Sequence, residues 1–429
     1  MKFNNTKKIL TQAKKLIPNA CQTLSKGYRL FIIGDFPLYV KKAEGCHIWD
    51  VDNNKYIDYT SSLGSIILGY NVPEINKAIQ NQLKLGITFS LPHQIETRLA
   101  KKITDTIPGA HMVRFAKSGH EATSAAVRIA RAYTGREVIL RSGYHGGQDW
   151  YLASQPPQDW GVPKSMKKHI DVFKYNDLND LKSKIKKHKN KVAAIIMEPV
   201  PLSDPAKGYL ESVQKIAKQN KIVLIFDEMV TAYRMHLGGA QAYYKITPDL
   251  TCIGKAMGNG MPISAVCGKR EIMQATEQVF VSTNFGGETL SMAASIAVID
   301  YIKKHKVIEH THKMGQLLYK GLNDLIKKHN LNAEIIGQPF KFKILFHNKD
   351  KSESNIKRLF FLQQGIYHGI FFGPVVTFSY AHTKKEIDYT LKATAKIFKA
   401  MADNNDDEKK LKKLIKGQIP VNNFKRDQR

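Results

Sequence analysis

Short apolar runs, each ending abruptly on a polar or glycine residue and separated by helix-length amphipathic stretches, constrain this chain more than any other feature. MVRFA (112–116), EVIL (137–140), AAIIM (193–197), IVLIF (222–226) and TCIG (251–254) read as strands. Their alternation with helical patterns makes an α/β fold with a mostly parallel sheet covered by helices. Ser118 and Gly119, the stretch 142–147, Glu198, Asp227 and Lys255 follow these runs directly. Ligands of open α/β sheets bind beyond the carboxyl ends of the strands, so the placement gathers these residues at one edge.

The two chain ends read differently. A leading helix is followed by short strands, PLYV and HIWDVDNNKYID, with a hairpin turn at 52–54. After Ile302, helices dominate again, interrupted by FKILF and VVTFSYA, and a last helix carries Ile387, Leu391, Phe398 and Met401 on one face. The ends are expected to form a smaller α+β domain, with 1–55 and 306–402 as its two parts. The large domain then spans 56–305, and a charged tail spans 403–429.

With 429 residues, 43% of them hydrophobic, the chain can bury a substantial core. Its four cysteines, Cys21, Cys46, Cys252 and Cys267, form no CxxC pair and no zinc-spaced cluster, so neither a disulfide framework nor a metal site is expected. Lys14 and Lys15 interrupt the apolar residues near the N-terminus, and no run reaches the ~18 apolar residues of a spanning helix. A cytoplasmic protein without a membrane partner is the expectation. The net charge of +29 comes largely from lysines in segments such as LKSKIKKHKNK and EKKLKKLIKG, where apolar residues recur at helical spacing. Such lysines are solvated helix faces, and no RNA-binding motif with interleaved aromatics accompanies them. The charge points to small anionic substrates rather than nucleic acid.

Asp227 and Lys255 carry the chemistry. A carboxylate at the mouth of five apolar residues needs a cationic partner, and a protonated pyridine nitrogen would supply one. A lysine in a compact glycine-rich turn, CIGKAMGNG, suits a Schiff-base nucleophile. Together they are the residues a pyridoxal phosphate (PLP) enzyme most needs. Ser118, Gly119 and His120 open a helix whose buried stripe is expected to be Ala122, Ala126, Ile129 and Tyr133, and a helix N-terminus stabilises a phosphate. The same pattern also makes an ordinary N-cap. Tyr144 and His145 offer a ring to stack on a flat cofactor, with Gly143, Gly146 and Gly147 letting the backbone approach it.

IFDEMVTAYR, LGGAQAYYKITPDLTCIGKAMGNGMPISAVCGKREIM, SGHEATSAAVRIARAYTGRE and NFGGETLSMAA resemble the class III PLP-dependent aminotransferases, and within them the glutamate-1-semialdehyde 2,1-aminomutases. The resemblance runs from Pro18 to Met401. It implies the fold type I architecture, a homodimer with active sites at the subunit interface, and ping-pong amino transfer from an amino donor to a carbonyl acceptor. It assigns Lys255 to the Schiff base, Asp227 to the pyridinium, Tyr144 to ring stacking, and Ser118, Gly119 and His120 to the phosphate. A family threonine that reaches the neighbouring subunit's phosphate matches Asn284, with Thr283 one residue earlier.

Three departures separate the chain from the aminomutases. His120 stands where the phosphate turn usually has serine or threonine. Lys26 replaces an arginine that holds the substrate carboxylate, and lacks its bidentate fork. Pro374 replaces a glutamate. The cofactor residues are kept while substrate contacts differ, so the expected function is an aminotransferase with a different substrate, a polar carbonyl compound among the candidates, and the aminomutase reaction is the alternative. A catalytically silent binding protein is disfavoured, because such a relative has no use for Lys255.

Overall fold

The structure is a computed structural model that describes residues 1–420; the end of the charged tail, 421–429, lies outside them. The chain divides into two compact units, one formed by Pro73–Ile308 and the other by the flanking chain ends.

In the central unit the strands are β1 (Met112–Ala116), β2 (Val138–Ser142), β3 (Ile170–Val172), β4 (Val192–Met197), β5 (Val223–Asp227), β6 (Leu250–Ile253) and β7 (Ser264–Gly268). Their spatial order is β1-β7-β6-β5-β4-β2-β3. β2 to β6 pair in parallel, while β7 runs antiparallel to both β6 and β1. The strands are unbroken apolar runs because both faces are covered. Val223 and Ile225 pack with Ala194 and Ile196 on one face, and Leu224 and Phe226 with Ile195 and Met197 on the other. Each large side chain buried this way contributes about 1.5–3 kcal/mol.

Helix α1 (Gly119–Thr134) follows β1 and buries Ala122, Ala126, Ile129 and Ala130. Small residues let it lie close against the sheet. Tyr133, expected in this stripe, is 49% exposed instead, while Val127 and Ala130 are buried. Gly135 ends the helix in a left-handed conformation (φ 65), its N–H bonding Arg131 O at 2.9 Å.

The unit made from the chain ends holds two small sheets. In one, Val40–Glu44, His47–Asp50 and Lys55–Asp58 run antiparallel, with Ile370–Phe371 added in parallel. Asn53 (φ 65) turns the hairpin, and Asp50 Oδ1 accepts the amides of Asp52 and Asn54 at 2.9 and 2.8 Å. The other sheet pairs Ala333–Gln338, Lys341–Phe346 and Val376–Thr377. Helix Lys384–Asp403 buries Ile387, Ile397, Phe398 and Met401 in a shared core with Leu318, Leu322 and Phe361. The charged segment beyond it carries a short helix, Glu408–Leu414, with Leu411 fully buried. Lys357 and Asp406 form a buried ion pair at 2.7 Å, and Gln418 pairs with Ile33 through two main-chain bonds of 2.9 Å.

One segment of this unit is held against its preference. Ser61, Ser62, Leu63 and Gly64 have φ of 46°, 49°, 57° and 81°, a left-handed turn in which only the last residue is glycine. Left-handed backbone costs an L-residue roughly 1–2 kcal/mol, and such strain persists only where surroundings fix it. Here Asp58 Oδ1 accepts Thr60 N–H at 2.8 Å, and Thr377 Oγ1 donates to Thr60 O at 2.9 Å.

Candidate active site

Strand register brings the candidate residues to one edge of the central sheet. Asp227 lies opposite Cys252 in the β5–β6 pair, so Lys255 emerges three residues beyond the position facing Asp227. On the other side Met197 faces Phe226 and Ser142 faces Met197, which sets Glu198 and the loop 143–147 at the same edge. The β1–α1 turn is fastened to it through Ser264 Oγ at the start of β7, which donates to Ser118 O at 2.7 Å.

Asp227 is buried at 4% exposure. Its Oδ1 accepts Met229 N–H at 3.1 Å, and its Oδ2 accepts from His145 Nδ1 at 2.8 Å. His145 Nε2 faces Ser142 O at 3.1 Å. Thr123 Oγ1 donates to His145 O at 2.8 Å, and the imidazole stacks on Trp150. His145, expected to offer a ring for stacking, instead bonds and orients Asp227. Separation hid this partnership, since nothing local marks a histidine on one loop and an aspartate 82 residues away as neighbours.

Tyr144 presents its ring instead. It is 65% exposed, packs edge-on against Tyr151, and donates its amide to Glu198 Oε1 at 2.8 Å. Burial raises its phenol pKa, with Asp227 adding to the effect. Gly143 and Gly146, both at positive φ, serve protein neighbours: a Cβ at 143 would meet Glu198 Oε1 at 2.9 Å, and one at 146 would meet His120 Cβ at 2.4 Å.

Lys255 opens a turn with φ 46°, immediately after Gly254. Met229 explains two glycines here, because its Sδ would lie 2.8 Å from a Cβ at 254 and 3.0 Å from one at 119. Glu228 is fully buried, accepting from Thr231 Oγ1, from the amides of Ala240 and Gln241, and from Gln241 Nε2. Burial raises its pKa while those bonds oppose the rise. It ties the loop after β5 to the following helix.

The phosphate turn fits its expected ligand. Glu121 Oε2 accepts the amides of Lys117 and Ser118 at 2.8 and 3.1 Å, and the amides of Gly119 and His120 head the helix where no carbonyl precedes them in register. Among the described residues Ser118 Oγ is buried with no hydrogen-bond partner, an orphan hydroxyl at a helix N-terminus. Nearby, Lys117 pairs with Glu288 at 2.8 Å, and Glu288 caps the helix Thr289–Lys304.

Thr283 and Asn284 are exposed on the turn before Glu288, and among the described residues neither side chain makes a hydrogen bond. Arg114 holds this loop by donating to Val281 O. Lys26 belongs to the other unit, where its Nζ donates to Ser62 Oγ at 3.3 Å and Pro374 lines the same cavity. In that unit Cys46 Sγ, a ring nitrogen of His47 and a Glu386 carboxylate oxygen come within 4.8 Å of one another, a grouping the cysteine spacing did not suggest. Glu386 Oε2 there caps Thr383 N–H, Lys55 and Lys385 line the same hollow, and burial pushes the Cys46 thiol up to about 12.

Residues 33–398 match the model of the aminotransferase class-III family. The chain belongs to that family. It is 34% identical to glutamate-1-semialdehyde 2,1-aminomutase of Methanothrix thermoacetophila, covering 92% of this chain and 96% of the relative. It is 33% identical to 3-aminobutyryl-CoA aminotransferase of Cloacimonas acidaminovorans over the same shares. Among solved structures, the FumI protein of Sphingopyxis sp. MTA144, in its PLP internal aldimine form, superposes with a TM-score of 0.87 at 28% identity, covering 94% of this chain and 97% of that one. The fold is type I, as the resemblance implied.

Proposed function

We propose that this class III aminotransferase uses PLP to move an amino group from a donor to a separate carbonyl acceptor, by a ping-pong route. The observation that carries the proposal is the convergence of Asp227, Lys255, the ring of Tyr144 and the orphan hydroxyl of Ser118 at one sheet edge. Bound PLP supplies an aldehyde that takes up the amino group and a ring that accepts electrons from the adjacent carbon. Ser118 Oγ and the amides of Gly119 and His120 would hold its phosphate. Asp227, oriented by His145, would keep the pyridine nitrogen protonated, and Tyr144 would cover a ring face. Lys255 Nζ would anchor the cofactor and, once displaced by the incoming amine, move the proton at the carbon bearing the amino group.

The alternative is the intramolecular aminomutase reaction, favoured by the 34% identity to an enzyme of that name. Lys26 and Pro374 weigh against it, since they replace an arginine and a glutamate of the aminomutases. Glutamate-1-semialdehyde supplied alone to enzyme in its pyridoxamine form separates the readings: no efficient production of 5-aminolevulinate is expected, and its appearance would establish the mutase. Lys255→Ala is expected to abolish amino transfer and the visible absorbance of the bound cofactor. Unchanged absorbance would refute the role given to Lys255.

The enzyme is proposed to be a homodimer. Leu83, Leu85, Ile87, Phe89 and Leu91 are all 42% exposed or more, and Thr289 ties this segment to the loop carrying Phe280 and Phe285 through bonds to Gly86 O and Ile87 O. So much exposed apolar surface suits burial against a second copy, which would bring Thr283 or Asn284 to the neighbouring phosphate. Among the described residues no helix is long and apolar enough to cross a membrane. A cytoplasmic location is part of the same proposal.

A further inference from the structure

Within the unit built from the chain ends, the turn between strands Val40–Glu44 and His47–Asp50 meets the first turn of helix Lys384–Asp403. Three donor atoms come together there. Cys46 Sγ, a ring nitrogen of His47 and a carboxylate oxygen of Glu386 lie within 4.8 Å of one another. Cys46 Sγ is 3.7 Å from His47 Nδ1. Two ligands of a tetrahedral zinc ion stand about 3.3–3.7 Å apart, so one edge of such a site already has its length. Cys46 is buried, while His47 and Glu386 line a hollow of about 360 Å3 whose rim residues Lys55, Lys385 and Tyr389 are exposed. That hollow gives an ion a way in.

The donors are held in place by bonds of their own. Glu386 Oε2 accepts from Thr383 N–H at 3.0 Å and from Thr383 Oγ1, the capping box of the helix, which fixes the direction of the carboxylate. Cys46 O accepts Asp58 N–H at 2.9 Å, and Gly45 exchanges main-chain bonds of 3.0 and 2.7 Å with Tyr70, so the turn is pinned on both sides. One sulfur, one imidazole nitrogen and one carboxylate oxygen suit a borderline-soft divalent ion such as zinc; magnesium and calcium take oxygen ligands. Lys55 and Lys385 sharpen that choice. A cation held by Glu386 alone would face their repulsion, whereas a thiolate and a carboxylate together cancel the two charges of a divalent ion.

We propose that Cys46, His47 and Glu386 form a zinc site, with water in the fourth position, that fastens the turn at 45–46 to the start of helix Lys384–Asp403. Binding replaces the Cys46 thiol proton, which leaves to solvent, and the ion takes one bond from each side chain. The wider separations, none above 4.8 Å, close by about 1 Å through side-chain rotation. The site lies inside one unit and does not rest on the aminotransferase reading.

Untagged full-length protein, loaded with PLP and freed of metal by dialysis against a chelator, is titrated with zinc by calorimetry. A single ion per chain is expected at micromolar free zinc, with release of about one proton and a rise in melting temperature. Magnesium should not compete. Cobalt in place of zinc should give a thiolate-to-metal charge-transfer band and the strong visible bands of a four-coordinate site, read as difference spectra against bound PLP. Cys46→Ser should remove the charge-transfer band and weaken zinc binding at least about a hundredfold, since even the outer partners of a metal are worth about tenfold to a hundredfold. Glu386→Gln retains a cap for Thr383 and should weaken binding while the metal-free protein melts as the wild type does. If Cys46→Ser does not fold, Glu386→Gln and the wild-type cobalt spectrum decide. A chain that binds no zinc, one whose cobalt form lacks the charge-transfer band, or one whose zinc affinity both variants leave unchanged overturns the site.

Discussion

Asp227 shows how one residue's role depends on what holds it. Its position at the end of β5 follows from the apolar run before it, but its orientation comes from His145 and from Met229 N–H. A carboxylate at 4% exposure with one oxygen bonded to an imidazole keeps a fixed direction, which is what its proposed hold on a ring-nitrogen proton requires. Asp227→Ala is expected to bind PLP and yet turn over on the order of a hundredfold to a thousandfold more slowly, measured as single-turnover amino transfer. His145→Asn should lose less, because it acts through Asp227. Near-normal turnover in Asp227→Ala would remove it from the mechanism.

At the scale of elements, strands were legible and the turns between them were not. β4 and β5 announce themselves because burial on both faces leaves no polar alternation. The turns are packed by contacts from elsewhere in the chain: Met229 Sδ lies against the space a Cβ at 119 or 254 would take, and Glu198 against that at 143. The turn before helix Lys384–Asp403 behaves the same way. There His382, fully buried, receives Ser379 N–H on Nδ1 at 3.1 Å and packs on Tyr59.

That turn carries a pH dependence. Burial lowers the His382 pKa from 6.5 to about 4, with the Ser379 backbone opposing the shift. The unfolded chain then binds the proton more readily than the folded one, so this stability is complete above pH 6.5 and is lost as pH falls towards 4. The loss is on the order of 3 kcal/mol if the whole window is crossed. Chemical denaturation at several pH values should show the slope in the wild type and a flatter one in His382→Asn. Equal slopes would show that His382 is not the titrating group.

For the whole molecule, surface composition raises the question of partners. Net charge of +29 is carried largely on helix faces, whereas exposed apolar side chains concentrate at 83–91 and 280–285. If a second copy covers that patch, sedimentation velocity should give twice the chain mass. Leu85→Asp combined with Phe280→Asp should then shift it to one chain and weaken PLP retention. A monomeric wild type with full cofactor occupancy would rule out the shared site.

The sequence alone determined the α/β class and the family, and it singled out Asp227, Lys255 and the Ser118 turn as candidates, because each is encoded in a contiguous stretch: an apolar run, or the loop residues that end it. It could not determine that His145 serves Asp227, that Glu228 and Glu198 brace their loops, or that Lys26 and Pro374 share a cavity with a left-handed turn. Those are relations between residues distant in the chain. Only strand register and packing bring them together, and the interactions that fix them exist in space and leave no periodicity behind.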